Sequence, residues 1–120
     1  MSQLQNDIET VELSIEVAEE AIKRGKQAKA LAKNKDFKEL VLDGYFQDEA
    51  ARLVHLVSHP TTKDEMRTTV QRDIDGVGAF KRYLQTIVMF GEQAELALEA
   101  DKQTLEEMRQ ADFDESNGEG

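Results

Sequence analysis

The 120-residue chain has no cysteine, no tryptophan and a single proline. Without cysteine it can form no disulfide framework, thiolate nucleophile or zinc–thiolate site, a composition that suits a reducing compartment. One proline, two tyrosines and five phenylalanines beside 33% charged residues disfavour a sheet with many turns and favour long, surface-rich helices. Long apolar runs are missing as well. The longest, Ile87 to Phe90, falls far short of the roughly 20 residues needed to cross a bilayer. The opening MSQLQNDIETVELSIE carries acids where a secretion signal would carry a basic stretch and then an apolar one, so no such signal is expected. A soluble protein of the cytoplasm or of a virion interior fits these exclusions.

What the chain does have is charge in blocks. Residues 1–22 hold six acids and no base, the stretch Lys23 to Lys38 holds seven bases and one acid, and from Glu92 onward ten acids face only Lys102 and Arg109. The net charge of −10 argues against direct nucleic-acid binding, which needs a concentrated basic face to displace counterions. The basic run KRGKQAKALAKNKDFK is still the best candidate for an electrostatic contact, through Lys23, Arg24, Lys26, Lys29 and Lys33. Phe37 is its one aromatic, and acids elsewhere can neutralise it, so a protein-facing role is preferred to phosphate binding.

Helical periodicity is the clearest pattern. Ser2 and Gln5 have capping-box spacing, and Leu4, Ile8, Val11, Ile15, Ala18, Ile22 and Gly25 follow in steps of four and three. Leu13, Val17, Ala21, Ala28 and Leu31 widen that stripe, as suits a helix touching two neighbours. A first helix is expected at about 3–33, with Asn34 near its end. Asp36 and Glu39 suggest the cap of a second helix over 36–58, where Gly44 costs on the order of 1 kcal/mol relative to alanine and Pro60 ends the segment. Thr62 and Glu65 suggest another capping box. Met66, Val70, Ile74, Val77, Phe80, Leu84, Ile87, Gly91, Ala94, Leu98, Asp101, Leu105 and Met108 then predict a third helix over 62–110, on the order of 70 Å long. The expected architecture is all-α, a single domain over 1–110. It is an elongated up-down-up three-helix bundle with a long C-terminal helix and a disordered acidic tail at 111–120. Parallel helices one and three would keep the acids of residues 7–20 away from those beyond Glu92, whereas a bend at Gly76-Val-Gly78 would bring them together. Close helix approach is the expected role of those two glycines.

Chemistry has few places to reside, and neither a catalytic residue nor a cofactor site is assigned. His55 and His59 share a helical face at a spacing that can hold a metal, but HLVSHP lacks the glutamate of an HExxH site, and a histidine near a helix C-terminus suits the dipole there. Asp73 and Asp75 are two apart and point to different sides of a helix. Gly76 and Gly78 form GxG without a preceding strand, so they are not a phosphate loop.

The segments F-x-x-x-x-x-x-GYF-x-x-EAARLV, beginning at Phe37, and DI-D-x-V-G-x-F-x-x-YL, beginning at Asp73, resemble small helical proteins encoded by tailed bacteriophages. The resemblance covers about residues 36–108. It implies a phage protein associated with the virion or its assembly, and it carries no catalytic residues. The leading expectation is a non-enzymatic protein–protein interaction factor: an assembly adaptor, a scaffold-like factor or a minor structural component. Its partner would be a phage structural protein or a second copy of itself. The alternative is an acidic inhibitor that mimics nucleic acid and occupies the basic groove of a host nucleic-acid enzyme. The seam at Ala94, Leu98, Leu105 and Met108 is the candidate partner surface, because a third helix of that length should overhang the second.

Overall fold

In a computed structural model, residues 2–118 are described, and their regular structure is entirely helical. Helix α1 spans Gln3–Lys33, α2 Lys35–Phe37, a π-helix Lys38–Glu49, α3 Ala50–Ser58, and α4 Asp64–Gly118. At the junctions Lys38 (φ −59°, ψ −49°) and Ala50 (φ −59°, ψ −44°) stay right-handed. The three middle elements are therefore one continuous second helix, and the chain has the all-α class and long C-terminal helix that its periodicity predicts.

The helix starts follow side-chain chemistry, not always as expected. The Gln5 amide donates to Ser2 Oγ at 3.1 Å and the Ser2 amide to Gln5 Oε1 at 3.4 Å, a reciprocal capping box. The second helix is capped two residues earlier than Asp36. Asn34 leaves helical geometry at φ −67°, ψ 127°, and its Oδ1 accepts from the Phe37 amide at 3.0 Å. Thr62 caps nothing on α4; its hydroxyl donates back to the Leu56 carbonyl at 2.7 Å and closes the end of α3. Asn34→Ala should therefore lower stability by ~1 kcal/mol in urea unfolding, while Glu65→Ala should leave the midpoint unchanged.

Gly44 neither breaks the second helix nor kinks it into two. The residues around it widen into the π form, in which hydrogen bonds span five residues. A Cβ at Gly44 would stand 2.9 Å from the Glu39 carbonyl oxygen, so the wide turn closes tightly where a side chain is absent. At the far end Arg52 Nε donates to Glu49 Oε2 at 3.0 Å and a second nitrogen to Oε1, which lowers the Glu49 pKa from its ordinary value and raises that of Arg52.

The chain's contacts gather into two compact units: 1–26 with 89–120, and 27–88. In the first, Ala18, Gly25, Gly91 and Leu105 are buried between α1 and α4. Gly25 lies opposite Gly91 and Glu12 pairs with Arg109 at 3.5 Å, so rising numbers on α1 meet falling numbers on α4. This pairing is antiparallel, and the parallel orientation of an up-down-up bundle does not form here. The reason lies at Asn34. One extended residue cannot reverse a chain, since helical hairpins need a loop of about 2–5 residues. The acids at the two ends are consequently neighbours after all. Exposed charges are individually worth at most about 1 kcal/mol, less than the burial of a continuous apolar seam.

In the second unit the chain does reverse, across 59–63. Pro60 holds His59 extended (φ −70°, ψ 133°), and the His59 carbonyl accepts from the Thr62 amide at 3.1 Å and from Arg67 Nη2 at 3.1 Å. Leu53, Val70 and Val77 form the core, with Tyr45, Phe46, Ala50, Leu56, Val57 and Ile74 packed against it. Phe80 meets Phe46 edge to face at 5.4 Å between ring centroids and Tyr45 at 6.3 Å.

Helix α4 is unbroken through Gly76 and Gly78 and continues past the expected boundary at residue 110. Side-chain bonds at four-residue spacing run along that extension, from Gln110 Nε2 to Asp114 Oδ1 and from Asn117 Nδ2 to the Phe113 carbonyl. Of the expected disordered tail, Glu119 and Gly120 lie outside the described residues.

Candidate interaction surfaces

The seam Ala94, Leu98, Leu105 and Met108 does not overhang. Leu105 is buried and the other three are half-buried, because antiparallel α1 covers the face that a parallel bundle would have left open. The stripe Leu4, Ile8, Val11, Ile15, Ala18, Ile22, Gly25 is likewise buried or half-buried throughout. The residues that widen it behave differently. Leu13 and Val17 are 60% and 63% exposed, so no second neighbour among the described residues covers them.

These two residues line an apolar groove of about 590 Å³ within the first unit. Ala18 and Ala21 of α1 share it with Phe90, Ala94 and Ala97 of α4, and Asp101 also lines it. Phe90 is itself exposed. The unit around the groove contains sixteen acids and five bases, a net of −11, whereas residues 27–88 contain nine acids and ten bases. The chain's negative charge is thus concentrated in the unit that exposes the groove. Leu13 and Val17 were legible as apolar; their exposure follows from the absence of a second neighbour.

Lys23, Arg24, Lys26, Lys29 and Lys33 are all exposed along α1, with Arg24 paired to Glu20 at 3.5 Å. His55 and His59 are also exposed, their ring centroids 6.1 Å apart, and His59 Nδ1 lies 2.8 Å from the Thr61 hydroxyl. Among the described residues no three potential metal-ligating side chains come together, and no helix is long and apolar enough to cross a membrane. Gly76 has open space where a Cβ would stand, and at Gly78 a Cβ would meet only Arg82 Nη1 at 3.3 Å. The close approach expected of this pair occurs at Gly25 and Gly91 instead.

Comparison with protein families, curated proteins and solved structures gives no match. The functional reading accordingly rests on these surfaces.

Proposed function

We propose that this protein is a non-enzymatic helical interaction factor that receives a basic amphipathic helix of another protein on the acidic face of its first unit. One observation carries the reading: an exposed apolar groove coincides with a net charge of −11. Leu13, Val17 and Phe90 offer apolar contact area whose exposure costs about 25 cal/mol per Å². Glu9 and Glu16 stand four before and three after Leu13, which puts carboxylates on the same side of α1. A helix entering such a groove buries its apolar anchors while its lysines or arginines meet the carboxylates. The acidic field also speeds encounter. The resemblance of residues 36–108 to tailed-phage proteins supports placing the protein in particle assembly, in the host cytoplasm or the virion, as an adaptor, scaffold-like factor or minor structural component; it does not extend to Leu13 and Val17, whose role rests on the groove and its charge.

The sixteen acids of the first unit also favour a second reading, in which carboxylates stand in for phosphates on the basic groove of a nucleic-acid enzyme. That reading has no use for Leu13 and Val17. A labelled helical peptide with leucines on one face and lysines on the other separates the two by fluorescence anisotropy. Replacing Leu13 and Val17 together by serine removes apolar surface without altering charge, and should weaken peptide binding at least about tenfold at unchanged helicity. Equal binding by parent and double variant would remove the groove from the contact and leave the carboxylates alone to explain it.

A further inference from the structure

The second unit contains a cleft of about 340 Å³ that the contact above does not use. Three helical segments wall it: Ala28 and Ala32 from α1, Phe37, Leu42 and Phe46 from the second helix, and Leu84 and Val88 from α4. All seven apolar residues are half-buried, as expected of walls that face an opening. The polar lining is Lys29, Lys81 and Gln85. No acid lines the cleft, in a chain with 25 acids and 15 bases.

We propose that this cleft binds a small amphipathic organic anion, a medium-length aliphatic chain ending in one carboxylate. The size falls in the range of small-molecule pockets, about 300–1,000 Å³. The apolar walls take the aliphatic body. Lys81 and Gln85, four apart on α4 and therefore on one face, supply a cation and an amide donor for the head group. Lys81 makes no ion pair among the described residues, so it can meet a ligand carboxylate without giving up an internal one. Leu42 and Phe46 belong to the π-helical stretch, and π turns recur at functional sites, where the departure from α geometry re-aims side chains. The helical unwinding around Gly44 thus forms part of the wall of a binding site. A bare apolar cleft would prefer an uncharged ligand; the cationic lining selects the carboxylate.

The test is isothermal titration of the full chain with decanoate, below its micelle-forming concentration, and separately with decanol, which has the same chain and no charge. Saturable binding of one decanoate per chain is expected, with decanol weaker. Lys81→Met should weaken decanoate about three- to fivefold and leave decanol unchanged, and Ala32→Phe should abolish both by filling the cleft. Methyl resonances of Leu42 and Val88 should shift during the decanoate titration, a readout that needs no variant. Absence of saturable binding, equal affinity for decanol, or shifts confined to methyls outside the cleft would each overturn the proposal. The groove of the first unit is untouched by these measurements, since Leu13→Ser with Val17→Ser should bind decanoate like the parent, and either reading can fail alone.

Discussion

Gly91→Leu is expected to destabilise the protein by about 3 kcal/mol, the upper end of what overpacking costs in a tight site. A Cβ placed on Gly91 would lie 3.0 Å from the Gly25 Cα and 3.1 Å from the Ala21 carbonyl oxygen. Both neighbours are backbone atoms of α1, so no side-chain rotamer can move aside and the two helices must separate. Parting them would expose the seam on which Ala18 and Leu105 are buried. Leucine is a better helix former than glycine, by less than the roughly 0.8–1 kcal/mol that separates alanine from glycine, so the local propensity gain works against the loss and is outweighed by it. Gly76→Ala supplies the contrast. With open space around it, the same propensity gain should appear as added stability of about 0.5–1 kcal/mol. Urea unfolding followed by circular dichroism measures both; a Gly91→Leu midpoint at or above that of the parent would mean that α1 and α4 are not in contact here.

Leu53→Ala should cost about 2–4 kcal/mol in the same measurement. Leu53 is 4% exposed and Val70 is 2% exposed, and with Val77 they form the buried center of the second unit. Truncation removes three carbons from a site walled by Val70, Val77 and partly buried aromatics, and helices joined at one end by the 59–63 turn can collapse only partly around the void. Leu40→Ala is the matched control. Leu40 is 74% exposed, and its truncation should change stability by no more than about 0.5 kcal/mol. Equal losses from the two substitutions would move the core away from Leu53.

Much of the local structure was legible. The span of α1, the Ser2–Gln5 box and the stop at Pro60 all follow from chemistry within a few residues. The seam of α4 from Met66 to Met108 is buried or half-buried at every expected position except Met66 and Phe80. The caps do not fall at Asp36 and Thr62, because several polar residues there satisfy the same spacing. In the fold, Asn34 Oδ1 accepts the hydrogen bond of the Phe37 amide and the Thr62 hydroxyl turns back to the Leu56 carbonyl. The π-helix left no comparable signal. Gly44 marks a weak point in a helix, but a kink, a break and a widened turn all begin from the same glycine.

The helical class, the approximate helix spans and the apolar faces are fixed locally, because periodicity and capping act over one or two turns. The block distribution of charge is likewise a property of chain order alone. The direction of the α1–α4 pairing, and with it which apolar residues became interior, came from packing between distant segments. An apolar stripe fits a parallel or an antiparallel partner equally well, and weak surface charges cannot choose between them once a single extended residue, Asn34, denies the chain a reversal. That choice covered Leu98 and Leu105, left Leu13 and Val17 in water, and brought the two acidic ends of the chain into one unit.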